Sequence, residues 1–177
     1  MSCLLKAGRQ VMNTPFLRIR NVVKYRLADC HLLQFDGGAV PNPGKCGSGA
    51  VLFSPEGLCL RERGVYIPYG TNNIAEYTGL RTGLEMALEE GVKAVRIEGD
   101  SNLVIQQITG NWAVKNAELK NIFADCVRLL NQFEYVVCRH VYREYNTHAD
   151  RLTNEIVAGC AGFDRMITKP SHREQAE

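Results

Sequence analysis

The amino-acid sequence predicts an α/β fold with a mixed, five-stranded sheet flanked by helices. Short apolar runs alternate with longer stretches of helical periodicity from about residue 31 to residue 160. The first three runs are separated only by turn signals, which is typical of three antiparallel strands. The last two runs each follow a helical stretch, which is typical of two parallel strands reached by crossover connections.

The first strand is predicted over residues 32–35 and ends at an acid, Asp36. Two glycines follow, and Pro41 and Pro43 lack the N–H group that a sheet ladder uses, so we expect the strand to stop here. A charge at the centre of a sheet is costly unless it is paired, hydrogen-bonded or bound to a cation. Asp36 therefore requires a partner.

The second and third strands are predicted over residues 49–53 and 58–67, with Pro68 and Gly70 ending the meander. Thr71 or Asn72 is expected to cap an apolar-faced helix that Gly91 ends.

The second half of the chain repeats the order of strand and helix. A fourth strand is predicted over 92–97, a short helix from Ser101, a connector over 110–115 and a helix over 117–132. A fifth strand over 135–142 precedes a last helix that Asn146 is expected to cap.

Charge and composition divide the chain into three parts. Residues 1–30 carry six cations and one acid, which gives this segment a net charge of +5 although the whole chain carries only +2. This basic extension suits an organelle-targeting presequence, such as a mitochondrial one; a nucleic-acid-binding arm and a solvated extension are the alternatives. Residues 31–160 form the predicted globular domain, and residues 161–177 form a polar tail that we expect to fray from Asp164 onward.

The remaining composition excludes several classes of protein. Seven scattered cysteines without a Cys-x-x-Cys pair indicate reduced thiols of an intracellular protein rather than disulfides or a zinc site. No apolar run reaches the roughly 20 residues of a membrane helix. The −3 charge outside the extension is not that of a strongly basic nucleic-acid binder. We expect a monomer in an organelle, or otherwise in the cytoplasm or nucleus.

Four acids lie at predicted strand ends or helix starts: Asp36, Glu76, Asp100 and Asp150. Singly, Glu76 and Asp150 are also explained by helix dipoles, and Asp100 by helix capping. Together they favour a ligand site, because strand ends and helix starts meet at one edge of an α/β sheet. Converging carboxylates repel one another unless cations lie between them. Oxygen ligands favour Mg²⁺ or Mn²⁺, and two such ions suit hydrolysis of a phosphodiester.

Five motifs stand in order along the chain: Phe35-Asp36-Gly37-Gly38, Asn42-Pro43-Gly44 with Gly47-x-Gly49, Thr71-Asn72-Asn73-x-Ala75-Glu76-Tyr77, Gly99-Asp100-Ser101 and Asn146-x-x-Ala149-Asp150. Over residues 31–159 the sequence resembles ribonuclease H of type I, and most closely its compact plant and archaeal branch. That branch shares the run Asp100-Ser-x-Leu-Val104 and the stretch Arg143-Glu144-x-Asn146.

The resemblance implies a ribonuclease H-like fold and two Mg²⁺ ions held by the four acids, with Asp36 bridging both. It implies hydrolysis of the RNA strand of an RNA/DNA hybrid to 3′-hydroxyl and 5′-phosphate ends. His140 stands where many members carry a histidine that assists; an ordinary strand residue is the alternative.

The resemblance also implies hybrid contacts from five residues: Asn42, Asn72, Asn73, Asn102 and Lys115. For three of the amides, turn and cap roles are the alternatives. The basic protrusion that many relatives carry near Trp112 and Lys115 is short and nearly uncharged here. Two other functions stay open, namely a hybrid-binding module without catalysis and another nuclease of the same superfold.

Overall fold

The computed structural model describes residues 25–167, which form a six-stranded mixed sheet with helices on both faces. The elements in chain order are β1 (His31–Val40), β2 (Gly44–Phe53), β3 (Cys59–Gly70), α1 (Asn72–Glu89), β4 (Ala94–Gly99), α2 (Asn102–Ile108), α3 (Ala117–Leu130), β5 (Tyr135–His140), α4 (Thr147–Gly159) and β6 (Phe163–Met166). Short 3₁₀ turns occupy Leu27–Asp29 and Arg143–Tyr145.

The strand order is β5-β4-β1-β2-β3-β6. β1, β2 and β3 pair antiparallel, whereas β4 pairs parallel to β1 and β5 parallel to β4. This confirms the predicted fold class of three antiparallel strands followed by two parallel ones. The predicted count of five strands is wrong, because β6 adds a sixth that pairs antiparallel with β3. β1 lies inside the sheet, between β4 and β2.

β1 is longer than predicted. It continues through Asp36 and both glycines to Val40, because β2 begins at Gly44 and pairs with it along that whole length. Asp36 lies opposite Gly49 inside the ladder, so the prediction that it ends the strand is wrong. The prolines occupy the turn instead of stopping the strand at the glycines.

Other strand ends move by a few residues. β3 runs through Pro68 to Gly70, since Pro68 has no partner in the β2 ladder and its missing N–H costs no pairing. β4 starts two residues later than predicted and includes Gly99, which places Asp100 directly after the strand. β5 ends at His140.

The helices pack on the two faces of the sheet. α1 begins at its predicted cap, where the Thr71 hydroxyl accepts a hydrogen bond from the Ile74 N–H, and Gly91 follows its end with φ of 71°. The larger core lies between the sheet and α1, α2 and α3. α4 covers the other face, where Leu152 and Ile156 pack against Val51 and Phe53.

The folded unit exceeds the predicted domain at both ends. The Tyr25 hydroxyl donates to Glu134 over 2.7 Å, so residues before 31 contact the domain. Residues 163–166 form β6 on the edge of β3, where Arg61 and Arg63 pair with Asp164. The expectation that this part of the tail frays is therefore wrong, because its charges find partners. The proposed presequence lies outside the described residues, apart from its last few positions.

Cys30, Cys46, Cys126, Cys138 and Cys160 are thiols that form no disulfide in the described part of the chain. None of the helices in that part of the chain is long and apolar enough to span a bilayer.

Candidate active site

Asp36 is the most enclosed acid of the site, with 7% of its surface exposed. It lies in the middle of β1 between the buried Phe35 and Gly37. The sheet therefore holds this carboxylate at a fixed position beside α1.

α1 brings Glu76 to Asp36. A β-carbon at Gly79 would lie 2.5 Å from the backbone oxygen of Asp36, so the helix rests directly on the strand. Glu76 lies beyond the first turn of α1, which contains no acid. A helix-dipole role therefore does not explain its position, because that effect fades within the first turn.

Asp100 and Asp150 are positioned by β4 and α4. β4 runs parallel to β1, and Asp100 follows its last residue. Asp150 lies in the first turn of α4 and is paired with the guanidinium of Arg143.

The four acids line one cleft of about 310 Å³. Within it, single carboxylate oxygens of Asp36, Glu76 and Asp100 all lie within 4.8 Å of one another. The cleft is completed by Gly37, Gly38, Ala39, Val40, Asn72, Arg143, Thr153 and Asn154. The structure thus brings together the four acids that the sequence selected, three of them as a tight cluster.

Proximity and burial perturb these acids. Burial, followed by the charge of Asp100, raises the pKa of Asp36 to about 6. Burial and the charges of Asp36 and Asp100 raise the pKa of Glu76 well above its usual value, and Arg143 opposes this only in part. The cluster is therefore short of positive charge.

A divalent cation fits this shortage. Glu76 Oε2 is buried and has no hydrogen-bond partner. Buried polar atoms in folded proteins are almost always satisfied, so this oxygen is available to a ligand. Three close carboxylates without thiolate or imidazole form the donor set of a hard cation such as Mg²⁺ or Mn²⁺.

Two of the predicted substrate-binding amides make backbone contacts beside the cleft. Asn72 Oδ1 accepts a hydrogen bond from the Ala39 N–H over 2.8 Å, and Asn42 Oδ1 accepts one from the Asn72 N–H over 3.2 Å. These bonds tie the β1–β2 turn to the start of α1. Asn42 therefore has the structural turn role considered for it, and both side chains are exposed.

The other predicted substrate contacts are not cleft-lining. Asn73 lies in the first turn of α1, half-buried. Asn102 opens α2, and its Oδ1 accepts a hydrogen bond from Gln106 Nε2. Lys115 is exposed in the connector before α3. Their roles stay predictions.

His140 lies at the exposed end of β5, opposite Gly99 in the ladder. Its Nε2 is 3.1 Å from the backbone oxygen of Asp100. The ring is therefore next to the site, although it is not among the cleft-lining residues.

Arg143 and Asn146 are site residues that the sequence did not select. Both stand in a stretch that carried the resemblance, and Asn146 was expected only to cap the last helix. Asn146 instead turns its side chain inward and makes no side-chain cap. Only the packing of α4 against β1 shows this.

The fold and the cleft define an α/β protein with a cluster of acids in one cleft. Residues 34–156 match the protein family described as "Reverse transcriptase-like". The chain also belongs to the ribonuclease H type I family, as its solved relatives indicate.

The curated relative "Bifunctional protein Rv2228c" of Mycobacterium tuberculosis is 37% identical over 131 residues, which are 73% of this chain and 36% of that protein. This chain thus spans about a third of that relative's length. The crystal structure of RNase H1 from Halobacterium salinarum is 36% identical with a TM-score of 0.70, covering 74% of this chain and 98% of that one. LC11-RNase H1, solved in complex with an RNA/DNA hybrid, is 34% identical with a TM-score of 0.70, covering 73% and 98%.

Proposed function

We propose that this protein is an endoribonuclease that hydrolyses the RNA strand of RNA/DNA hybrids. The cluster of Asp36, Glu76 and Asp100 inside one cleft carries the proposal, because a set of close carboxylates is suited to a cation that engages a phosphate. The hybrid-bound LC11 relative supports the choice of substrate.

The proposed cofactor is a pair of Mg²⁺ ions, for which Mn²⁺ can substitute, held by Asp36, Glu76, Asp100 and Asp150. Bound divalent ions polarise a phosphate and lower the pKa of water, which is the chemistry that phosphodiester hydrolysis needs. Asp36, central in the cleft, would be the shared ligand.

The chain itself supplies position and charge. Asp36 is buried, and the backbone of α1, which carries Glu76, rests directly on β1, so little reorganisation is needed when a phosphate arrives. Arg143 holds Asp150 at the mouth of the cleft. Water attacks phosphorus and the bond to the 3′ oxygen breaks, leaving a 3′-hydroxyl on one fragment and a 5′-phosphate on the other.

The proposed hybrid contacts are made by amides rather than by a cationic groove. Asn42, Asn72, Asn73 and Asn102 can donate to and accept from 2′-hydroxyls and base edges of a shallow minor groove without selecting a sequence. Lys115 adds one charge for the DNA strand.

His140 is proposed to assist proton transfer or product release at the rim. General acid–base groups typically contribute about 10²- to 10⁴-fold. A loss of kcat in that range for His140→Ala would support the role. A loss below about tenfold would assign the ring only to its contact with the Asp100 backbone.

The test of function is cleavage of an RNA/DNA hybrid labelled on the RNA strand, with Mg²⁺ or Mn²⁺ present. We expect Asp36→Asn and Asp100→Asn to abolish cleavage, while Asp125→Asn, an acid on α3 outside the cleft, retains it. Undiminished cleavage by either cleft variant would refute the mechanism. Binding without product would indicate a non-catalytic module, and preference for duplex RNA or single strands another nuclease.

We also propose that the protein acts as a monomer, because all four acids come from one chain; its mass in solution tests this. An organelle location is proposed from the basic extension. A mature chain beginning near residue 28 would support it, whereas a native start at Ser2 would refute it.

A further inference from the structure

Asn146 occupies the N-cap position of α4, yet its side chain does not cap the helix. The residue is fully buried. Its Nδ2 donates two hydrogen bonds, to the backbone oxygen of Phe35 over 2.8 Å and to Asp100 Oδ1 over 3.0 Å. Asparagine commonly accepts a hydrogen bond from a free N–H at the start of a helix. Here the side chain of Asn146 instead points toward the sheet.

These contacts place Asn146 at the junction of three acids. Phe35 immediately precedes Asp36, Asp100 is held directly, and the Asp150 N–H donates to the Asn146 backbone oxygen over 3.1 Å. Both partners of Nδ2 are acceptors, so only the donor end of the amide can face them. The amide orientation, and with it the Asp100 carboxylate, is therefore fixed.

A neutral donor is well suited to this position. Asp100 shares the cleft with Asp36 and Glu76, so repulsion favours rotation of its carboxylate away from them. A lysine or arginine here would hold the carboxylate but would also neutralise the charge that attracts a cation. The Asn146 amide holds one oxygen and leaves the full negative charge in the cleft.

We propose that Asn146 is a positioning residue that orients Asp100 for a divalent cation before the cation or the hybrid arrives. The inference rests on the proposed metal-dependent function. Groups that hydrogen-bond to metal ligands typically change metal affinity or activity about 10- to 100-fold when they are removed.

The experiment measures Mn²⁺ binding to the full chain without hybrid, by electron paramagnetic resonance of free Mn²⁺. We expect Asn146→Ala to weaken binding about 10- to 100-fold. The matched control is Gln107→Ala, which removes another buried amide, bonded to the Tyr77 hydroxyl, outside the cleft. The control should keep the affinity of the unaltered protein even if it melts at a lower temperature.

Two kinetic readouts separate positioning from general destabilisation. Asn146→Ala should lower kcat and raise the Mg²⁺ concentration for half-maximal rate, with the KM for hybrid unchanged. Unaltered Mn²⁺ affinity together with an unaltered Mg²⁺ requirement would overturn the inference. Failure of the unaltered protein to cleave any hybrid would instead refute the proposed function, while the Mn²⁺ measurement would still decide the role of Asn146.

If Asn146→Ala does not fold, nuclear magnetic resonance of the unaltered protein decides the question. We expect the Asn146 side-chain amide protons to exchange slowly and their shifts to move on addition of Mg²⁺. Rapid exchange, or shifts that ignore saturating Mg²⁺, would contradict the proposal.

Discussion

The backbone of Ala75 lies so close to Gly37 that a β-carbon on Gly37 would be 2.1 Å from the Ala75 carbonyl carbon. α1 therefore touches β1 with no side chain between them. The neighbours of this contact are Glu76 on the helix and Asp36 on the strand. The distance between these two acids is thus set by a glycine.

Gly37→Ala should destabilise the protein by about 1–3 kcal/mol or more, because the methyl group must displace the backbone of α1. The displacement should also abolish hybrid cleavage. Urea unfolding measures the first effect. The control is Gly38→Ala, where the new β-carbon would meet only Thr153 Cγ2 at 3.5 Å. Equal stability of the two variants would contradict the proposed role of the contact.

Asp36→Asn should stabilise the metal-free protein at pH 7.5 by on the order of 1–3 kcal/mol. Burial raises the folded-state pKa of Asp36 from 3.8 to about 6, so the ionised form costs more in the folded than in the unfolded chain. Below pH 4 both states are protonated and the cost disappears. The advantage of the variant should therefore shrink as the pH falls from 6 to 4, as urea unfolding in EDTA would measure. A pH-independent difference would contradict this.

Mg²⁺ should raise the melting temperature, because the cation binds the folded cleft and not the unfolded chain. At a concentration ten times the dissociation constant the gain is about 1.4 kcal/mol. Calorimetry with EDTA, Mg²⁺ and NaCl of equal ionic strength would measure it. Asp36→Asn should lose most of the Mg²⁺ effect, and an equal gain from NaCl would indicate screening alone.

Glu62→Gln should destabilise the protein by about 1–3 kcal/mol and loosen β6. Glu62 is buried and accepts hydrogen bonds from Arg151 and Arg165, which join α4 and β6 to β3. Urea unfolding and hydrogen exchange of residues 163–166 would measure both effects. Glu155→Gln, an exposed member of the same network, should cost less than about 1 kcal/mol. Unchanged exchange in Glu62→Gln would show that β6 is held by its ladder alone.

The sequence predicted the fold class, and the four acids that it selected lie in one cleft. Strand and helix periodicity act locally, and the order of elements restricts how they connect, so the meander and the parallel crossover followed from patterns within about 20 residues. The acids were selected because predicted strand ends and helix starts share one edge of a sheet. The choice succeeded even though Asp36 in fact lies inside β1.

Positions that depend on distant partners were predicted less well. β1 was expected to end at Asp36 because its own residues contain no information about β2, which pairs with it to Val40. The tail was expected to fray because Asp164 looks solvated until Arg61 and Arg63 are placed beside it.

The sequence by itself determined which side chains are present for the chemistry and the order in which they reach the sheet. The tertiary structure alone decided their geometry. In the sequence, Gly37 indicates a turn and Asn146 indicates a helix cap. In the structure, α1 rests on Gly37, and the packing of α4 against β1 directs the Asn146 amide to Asp100. The physical reason is that close packing and hydrogen bonding between elements far apart in the chain depend on surfaces that exist only after folding.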